Sequence, residues 1–259
     1  MKWRLAVVGR PIEHSLSPRL HECGLALAGL RGASQRIDLG VAQVGRLHDL
    51  LVHDLDAVSI TMPLKAAAVE LCDRVDPVAS RLGVVNSILV THGRLHAAST
   101  DGPGFVEALR WQFGLSPEGM RVVVLGAGGA ARGIVDALVE GGAGEVVVVG
   151  RTRENVEWMT ARYERVTTED LVGSVDLVVN TTPAAARTAD DQVLKGARAT
   201  TVAIDITYEP RMSAWRAAYE RFGCRSANGL GMLAFQAALQ MQWWWERPID
   251  GAQLLKEIE

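Results

Sequence analysis

The 259-residue sequence has few of the features that mark several protein classes. It contains three cysteines, Cys23, Cys72 and Cys224, and no CxxC spacing, so a disulfide framework is not expected. Its six histidines form no HExxH pair, and the commonest signal for a catalytic zinc ion is therefore missing. We expect reduced cysteines, no metal ion and a cytoplasmic location.

Long apolar runs and a large net charge are also missing. The apolar run at residues 5–8 is too short for the core of a signal peptide, and no 18-residue apolar segment follows it. The net charge of −3 gives no electrostatic footprint for nucleic acid. What remains is an ordinary globular composition, with 48% apolar residues, and neither a nucleic-acid nor a membrane partner is predicted. A monomer and a homodimer are both compatible with it.

Short apolar segments alternate with helix-like segments along the whole chain. In the first half, residues 5–8, 37–39 and 57–60 predict strands, and residues 84–90 and 94–97 predict a hairpin around His92-Gly93. A helix is predicted at residues 18–30, with Ser17 as its N-cap and Pro18 in its first turn. Another helix is predicted to follow Asp101 and to stop at Gly114.

The second half shows the alternation more clearly. Residues 122–125, 145–149, 175–179 and 201–204 are apolar without polar alternation, as in parallel strands covered on both faces. We predict an α/β protein of two domains with a cleft between them. Residues 1–101 together with the helical segment 231–259 would form an N-terminal α/β substrate-binding domain. Residues 102–230 would form a C-terminal Rossmann-like, dinucleotide-binding domain.

A glycine-rich turn joins the strand at 122–125 to the next helix. Gly126-Ala127-Gly128-Gly129-Ala130-Ala131 fits the GxGxxA pattern. The first glycine permits a tight turn, the second lets the backbone approach a pyrophosphate, and the small last residue allows close packing of helix on strand. The position of this turn inside a βαβ unit predicts a dinucleotide site.

The end of the second strand of that unit indicates which dinucleotide binds. An NAD site usually has Asp or Glu there for the ribose 2′-hydroxyl, whereas this strand ends in Gly150-Arg151-Thr152-Arg153. Two guanidinium groups and a hydroxyl suit a 2′-phosphate, so NADP(H) is the predicted cofactor. The alternative is that Arg151 and Arg153 only solvate the start of a helix.

Polar residues follow the predicted strands of the first domain, where α/β proteins place ligands. Taken one at a time, each has an ordinary structural explanation as a helix cap or a solvated surface residue. Together with the glycine turn, they resemble the shikimate dehydrogenase family from about residue 5 to residue 240. The matching segments occur in the family's order: Gly9 to Pro18, Thr61-Met62-Pro63-Leu64-Lys65, Val85-Asn86, Thr100-Asp101-Gly102, Gly126 to Arg132, Arg151-Thr152, Tyr208-Glu209-Pro210 and Gly229-Leu230-Gly231-Met232-Leu233.

The resemblance implies reversible reduction of 3-dehydroshikimate to shikimate by NADPH, a step of aromatic amino-acid biosynthesis. It implies that Ser15 and Ser17, helped by Tyr208, bind the substrate carboxylate. Ser59 would face the substrate, and the ring hydroxyls would be held by Thr61, Asn86, Asp101 and Gln236. The implied cofactor residues are Gly126, Ala127, Gly128, Gly129 and Ala130 at the pyrophosphate, Arg151, Thr152 and Arg153 at the 2′-phosphate, and Thr182, Ile206, Gly229 and Met232 beside the nicotinamide.

Lys65 and Asp101 would flank the reacting oxygen and act as the acid–base pair. Negative charge builds on the carbonyl oxygen during reduction, and an ammonium group can stabilise and protonate it. The carboxylate of Asp101 would fix the direction of the lysine.

The match departs from the family pattern at four positions. Ser59 and Ser99 replace asparagines, Gly150 replaces the asparagine of NRT, and Asn155 stands where a second basic residue is usual. These departures leave open a relative that acts on quinate, aminoshikimate or another cyclic polyol carboxylate, and also a non-catalytic ligand-binding protein of the same fold. The triplet Trp243-Trp244-Trp245 has no catalytic counterpart, and we expect it to serve core packing or a subunit contact.

Overall fold

The computed structural model describes residues 2–168, 173–183 and 196–259, and all the predicted site residues lie within these ranges. The chain forms two compact units. The first contains residues 1–104 and 233–259, and the second contains residues 105–232. The predicted boundaries, 101/102 and 230/231, lie within three residues of these divisions.

The first unit is built on a six-stranded mixed sheet in the order β2-β1-β3-β5-β6-β4. Strand β1 is parallel to β2 and β3, whereas β5 is antiparallel to both β3 and β6. The strands are β1 (Lys2–Gly9), β2 (Arg31–Asp38), β3 (Ala57–Ile60), β4 (Arg74–Val75), β5 (Ser87–Thr91) and β6 (Arg94–Ala98). The helices that belong wholly to this unit are α1 (Ser17–Leu27), α2 (Val44–His53), α3 (Pro77–Leu82) and α9 (Gly251–Ile258).

Turn chemistry explains two boundaries of this unit. His92 and Gly93 both have positive φ, 52° and 72°, as a two-residue type I′ turn requires, so the predicted hairpin is confirmed. Helix α1 ends at Leu27, three residues before the predicted end, because Gly29 turns into the left-handed region at φ 65°.

The second unit holds a fully parallel sheet in the order β12-β11-β10-β7-β8-β9. This is the 6-5-4-1-2-3 order of a doubly wound dinucleotide-binding fold, with its switch point between β7 and β10. The strands are β7 (Arg121–Leu125), β8 (Glu145–Val149), β9 (Val166–Thr167), β10 (Leu177–Asn180), β11 (Val202–Asp205) and β12 (Arg225–Asn228). The helices are α5 (Gly129–Glu140), α6 (Arg153–Thr160) and α7 (Ala214–Arg221).

Two helices contain the divisions between the units, namely α4 (Asp101–Phe113) and α8 (Leu230–Trp245). The tryptophan triplet lies at the end of α8, where Trp244 and Trp245 are buried and Trp243 is half-buried. Trp244 is buried and its indole N–H donates to Ser87 Oγ at 2.8 Å, while buried Trp245 meets the ring of Trp3 edge-on. No helix in the described part of the chain has the length and apolar character needed to cross a bilayer.

Candidate functional site

The carboxyl ends of β1 and β3 bring two of the predicted ligand loops together. A Cβ on Gly9 would lie 2.4 Å from Thr61 Cγ2 and 2.5 Å from Met62 O, so only glycine permits this approach. The backbone N–H of Arg10 donates to Met62 O at 2.8 Å. Half-buried Thr61 therefore lies beside the end of β1. The chain continues from β1 into the turn that carries Ser15 and Ser17, which we call the serine turn.

The serine turn leads into α1 and is held from the neighbouring strand β2. The guanidinium of Arg36 donates twice to the carbonyl oxygen of Ser15, at 2.9 and 2.7 Å. Ser15 Oγ accepts the backbone N–H of Ser17 at 3.3 Å, so the hydroxyl hydrogen of Ser15 points elsewhere. The prediction that Ser17 caps α1 is wrong, because Leu16 is the N-cap and Ser17 is the first helical residue. The side-chain acceptor at the start of α1 is thus Ser15, two residues upstream of the expected Ser17.

Lys65 and Asp101 form a partly buried ion pair. The ammonium of Lys65, which follows β3, lies 2.5 Å from Asp101 Oδ2 at the start of α4. Their side chains are 16% and 6% exposed, so water has little access to the carboxylate. Asp101 Oδ1 accepts a second hydrogen bond, from Asn86 Nδ2 at 2.9 Å. The carboxylate of Asp101 is therefore held through both of its oxygens, which fixes the direction of its contact with Lys65.

Three polar side chains pack directly behind this pair. Asn86 Nδ2 lies 3.1 Å from Gln236 Oε1 and 3.0 Å from Thr100 Oγ1, and Asn86 Oδ1 accepts the backbone N–H of Thr100 at 2.8 Å. Helix α8 can deliver Gln236 here because Gly104 carries no side chain, since a Cβ on Gly104 would lie 2.6 Å from Gln236 N. The structure thus brings Lys65, Asp101, Asn86 and Gln236 into one hydrogen-bonded cluster.

Ser59 lies deeper than expected. It is 5% exposed, and its hydroxyl lies 2.6 Å from Gln240 Oε1 and 2.9 Å from His21 Nε2. The hydroxyl of Ser59 therefore makes its hydrogen bonds to side chains of the protein. Neither His21 nor Gln240 was among the predicted site residues.

In the second unit, the glycine turn lies at the switch point of the sheet. Gly126 has φ 110°, a backbone conformation that other residues rarely adopt. A Cβ there would also lie 2.2 Å from Thr181 Oγ1, so only glycine fits this position. Thr181 follows β10 and donates through its backbone N–H to Leu125 O at 2.7 Å. This contact joins the ends of β7 and β10, where doubly wound sheets bind their ligands.

Gly128 is the N-cap of α5 and has a different reason to be glycine. Its φ of −84° suits any residue, and a Cβ would meet no described protein atom within 4 Å. Gly129 begins the helix, whose first N–H groups and positive dipole end face outward from the turn. Fully buried Ala131 packs in the core beneath. The turn fits a pyrophosphate, because the lack of a side chain at Gly128 leaves the space beside its backbone open.

The end of β8 carries the predicted 2′-phosphate residues. Arg151 is exposed, and Thr152 is the N-cap of α6 without a side-chain capping bond to any described residue. Arg153, in contrast, is 89% exposed and its Nε donates to Glu157 at 2.6 Å, one turn along the same helix. That hydrogen bond, and the electrostatic attraction of Glu157, raise the pKa of Arg153. Arg151 and Thr152 are therefore better placed for an anion than Arg153.

The remaining predicted cofactor residues follow β10, β11 and β12. Thr182 donates through Oγ1 to Asn180 Oδ1 at 2.6 Å. Gly229 lies so close to the carbonyl of Ile206 that a Cβ would be 1.8 Å from that oxygen, so glycine is required there. Met232 is buried in the core of this unit, and half-buried Tyr208 follows β11. In the described part of the chain, no three His, Cys, Asp or Glu side chains are grouped as a metal site would require.

Comparison with known proteins identifies the family. Residues 7–88 match the family model of the shikimate dehydrogenase substrate binding domain, and residues 109–212 match that of shikimate/quinate 5-dehydrogenase. The chain is 37% identical over 250 residues to shikimate dehydrogenase (NADP(+)) from Dinoroseobacter shibae, covering 92% of this chain and 90% of the relative. It belongs to the shikimate dehydrogenase family.

Two further relatives agree. Shikimate dehydrogenase (NADP(+)) from Geobacillus kaustophilus is 32% identical over 250 residues, covering 92% of this chain and 91% of the relative. A crystal structure of shikimate 5-dehydrogenase from Thermus thermophilus, in complex with NADP(H) and shikimate, superposes with a TM-score of 0.88. It is 32% identical and covers 98% of each chain. The predicted α/β fold of the family is confirmed.

The structure gives physical reasons for two departures from the family pattern. A Cβ on Gly150 would lie 2.9 Å from both Ala127 Cβ and Val156 Cγ2, so the packing of the glycine turn leaves no room there for asparagine. Asn155, where a basic residue is usual, accepts a hydrogen bond from Arg132 Nη2 at 3.0 Å. The guanidinium of Arg132 stacks on Trp158, 4.5 Å from the ring centroid.

Arg132 is thus a site residue without a predicted role. Burial and, secondarily, the nearby Arg162 lower the pKa of Arg132. Its position near the start of α5 was part of the matched glycine segment, but the sequence held no sign that its side chain reaches α6. The guanidinium of Arg132 lies beside Asn155, the position where the family usually has a basic residue.

Buried His21 should make the stability of the protein depend on pH. Desolvation lowers the pKa of His21 from 6.5 to about 3. Below pH 6.5, His21 therefore binds a proton in the unfolded chain but stays neutral in the folded chain. The free energy of unfolding falls as the pH decreases from 6.5 towards 3. Between pH 7.5 and 5.5 we expect His21 to cost about 1–1.5 kcal/mol of unfolding free energy.

Urea unfolding of the wild type and of His21→Gln at the two pH values measures this contribution. Glutamine keeps a donor near the position of Nε2 but cannot be protonated. The wild type should lose more stability on acidification than the variant by the stated amount. Equal losses in the two proteins would mean that His21 is protonated in the folded state.

Proposed function

We propose that the protein is an NADP-dependent shikimate dehydrogenase that interconverts shikimate and 3-dehydroshikimate. The observation that carries the proposal is the oriented Lys65–Asp101 pair, with Asn86 and Gln236 hydrogen-bonded behind it. Family membership supports it, because relatives at 32% and 37% identity are shikimate dehydrogenases (NADP(+)). We place the enzyme in the cytoplasm as part of the proposal, in keeping with its three free cysteines.

Lys65 handles the proton in this proposal. When bound, NADP(H) supplies or accepts the hydride. During reduction the ammonium of Lys65 stabilises the negative charge on the substrate oxygen and then protonates it. In the reverse direction the neutral amine takes the proton from the hydroxyl. Asp101 keeps the amine directed through the 2.5 Å contact.

Substrate recognition is assigned to hydroxyl and amide groups. Ser15 and Ser17, with Tyr208, would bind the carboxylate, because hydroxyl hydrogens can orient a carboxylate without a full ion pair. Thr61 and Gln236 would hold ring hydroxyls. A site of this kind discriminates strongly against substrates that lack a hydroxyl, since its own polar groups are then left unpaired.

NADP(H) fits the second unit through the glycine turn and the end of β8. The backbone at Gly128 and the N-terminus of α5 suit the pyrophosphate, and Arg151 and Thr152 suit the 2′-phosphate. Thr182, Ile206 and Gly229 would lie on the nicotinamide side.

Selectivity for NADP over NAD should depend on Arg151. Loss of a charge-assisted contact to a phosphate costs about 1.5–3 kcal/mol, so Arg151→Ala should raise KM for NADP roughly 10- to 100-fold. KM for NAD should change little, because NAD has no 2′-phosphate. Steady-state kinetics with both cofactors provides the measurement.

Arg153→Ala is the comparison variant, because its guanidinium is already bonded to Glu157 and points outward. Its KM for NADP should rise less than that of Arg151→Ala. Equal effects of the two substitutions would show that Arg153 leaves Glu157 to bind the cofactor, and would restore it to the proposed site.

Substrate and cofactor are tested together by absorbance at 340 nm, with NADP or NAD against shikimate or quinate. The proposal predicts fastest turnover with NADP and shikimate and no requirement for added metal. Faster turnover with quinate would identify a relative with shifted specificity. Thermal stabilisation by shikimate and NADP without any absorbance change would identify a ligand-binding protein that has lost the reaction.

A further inference from the structure

A continuous hydrogen-bonded network runs through the first unit behind the Lys65–Asp101 pair. It begins at Ser34, whose hydroxyl lies 2.8 Å from His21 Nδ1, and passes through His21 Nε2 to Ser59 Oγ at 2.9 Å. Ser59 connects to Gln240 at 2.6 Å, and Gln240 Nε2 connects to Gln236 Oε1 at 2.7 Å. The network therefore joins four separate segments of the chain to the predicted substrate site.

Contacts with backbone groups identify the nitrogen and the oxygen of each amide in the network. Gln240 Nε2 lies 3.2 Å from the carbonyl oxygen of Asn86, and Gln236 Nε2 lies 2.9 Å from that of Leu233. A carbonyl oxygen can only accept, so the nitrogen of each glutamine must face it. At the other end, Asn86 Oδ1 accepts the backbone N–H of Thr100, which orients the asparagine as well.

The donor and acceptor in each remaining hydrogen bond follow from the number of hydrogens that each side chain can donate. Gln240 Oε1 can only accept, so Ser59 must donate its single hydroxyl hydrogen to it. Having no second hydrogen, Ser59 must accept from His21, whose Nε2 therefore carries a hydrogen. His21 is fully buried, and its neutral form then accepts at Nδ1 from Ser34. Every bond from Ser34 to Gln236 runs in one direction.

The orientation of Gln236 has a consequence for the substrate. Its Oε1 receives hydrogens from Gln240 and Asn86, and its Nε2 gives one of two hydrogens to Leu233 O. The group that Gln236 can offer to a ligand is the second N–H. Gln236 would therefore donate a hydrogen bond to a substrate hydroxyl, whose oxygen accepts it.

We infer that Ser59, with His21 and Gln240, is a positioning residue that sets Gln236 as a hydrogen-bond donor to the substrate, without touching the substrate itself. This inference rests on the proposed function and revises the role predicted for Ser59. The serine is suited to the task because one hydroxyl can accept from His21 and donate to Gln240 at the same time.

The tautomer of His21 gives a test that needs no substrate and is read from the wild-type protein. Long-range ¹H–¹⁵N NMR of histidine-labelled wild-type protein should show His21 neutral, with the hydrogen on Nε2 and an acceptor at Nδ1. His21→Gln identifies the signal among the six histidines. A hydrogen on Nδ1 alone would overturn the inference, because Ser59 would then donate to His21 and have none for Gln240.

Kinetics of Ser59→Ala tests the effect on the site. Without the hydroxyl, the oxygen of Gln240 loses its donor, and the Gln240 amide that donates to Gln236 Oε1 is held only through its bond to the carbonyl oxygen of Asn86. We expect kcat/KM for shikimate to fall by about 10- to 100-fold, chiefly through KM, as for the loss of one or two oriented hydrogen bonds. KM for NADP should stay within about twofold. Ser59→Cys, which keeps a weak donor of similar size, should recover part of the loss.

Ser87→Ala is the matched control. Ser87 pairs with Ser59 across β3 and β5, is fully buried and bonds Trp244 outside the amide network. It should lower the melting temperature comparably and leave kcat/KM close to that of the wild type. Equal kinetic losses in the two alanine variants would reduce Ser59 to a structural residue and overturn the inference. If the wild type itself fails to oxidise shikimate, the proposed function fails, and the NMR result still decides the direction of the network.

Discussion

Replacing Lys65 by alanine should lower kcat for shikimate oxidation by roughly 10²- to 10⁴-fold, the usual contribution of a positioned acid–base group. The variant keeps Asn86, Gln236 and the serine turn, so KM for shikimate should change only a few-fold. Steady-state kinetics at 340 nm, with melting temperature as a check on folding, measures both effects. The loss should appear in kcat and kcat/KM alike, because the interaction is made mainly in the transition state.

Lys256→Ala serves as the control, because Lys256 is an exposed lysine in α9 that has no part in the proposed site. It should keep the kinetic constants of the wild type. A Lys65→Ala enzyme with near-normal kcat would remove the lysine from the mechanism and leave Asp101 as the only candidate for proton transfer in the cluster.

Replacing Gly128 by valine should weaken NADP binding by about 100-fold or more, which corresponds to about 2.7 kcal/mol. The backbone at this position, φ −84°, accepts valine, and the added atoms would meet no described protein atom near Cβ. The protein should therefore keep its stability, whereas the pyrophosphate would lose its close approach to the backbone. Fluorescence titration with NADPH and thermal unfolding measure the two properties separately.

Gly45→Val is the matched control, since Gly45 lies in α2 and a Cβ there also meets no described atom within 4 Å. It should affect neither stability nor cofactor binding appreciably. Normal NADPH affinity in Gly128→Val would place the pyrophosphate away from the glycine turn. If Gly128→Val unfolds, glycine is required at this position for the stability of the protein, and not for cofactor binding.

The four inner strands of the second unit, β7, β8, β10 and β11, could be predicted because they are almost wholly buried, whereas the edge strands β9 and β12 are less buried and were not predicted. Residues 145–149 were predicted as a strand and form β8 with the same bounds. The edge strand β2 was predicted as three residues, 37–39, but it runs over Arg31–Asp38. Its side chains alternate between exposed and half-buried, so hydrophobicity gives no signal, and only pairing with β1 reveals it.

The candidate site could be predicted where a local motif carries the chemistry. The glycine turn, and the placement of Lys65 and Asp101 after a strand, are local features, and the structure brings the last two within 2.5 Å. Contacts between distant residues could not be predicted in this way. Ser59 meets Gln240 across 181 positions of sequence, and nothing near either residue indicates the other.

The sequence shows which arginines lie near the end of β8, but it does not show which group each of them contacts. Arg151 and Arg153 look equivalent in sequence, yet Arg153 pairs with Glu157 at helical i,i+4 spacing. Arg132, which lies 23 positions before Asn155, reaches it from a different helix. Pairing with Glu157 thus distinguishes Arg153 from Arg151, and the contact of Arg132 with Asn155 is one that only the fold shows.

A crystal structure of the protein with shikimate and NADP bound tests the central claim most directly, namely that Lys65 transfers the proton at the oxidised ring carbon. The account predicts the oxygen of that carbon within about 2.6–3.2 Å of Lys65 Nζ, with Asp101 still bonded to the amine. Shikimate bound with that oxygen beyond reach of Lys65, or with another titratable side chain in its place, would contradict it.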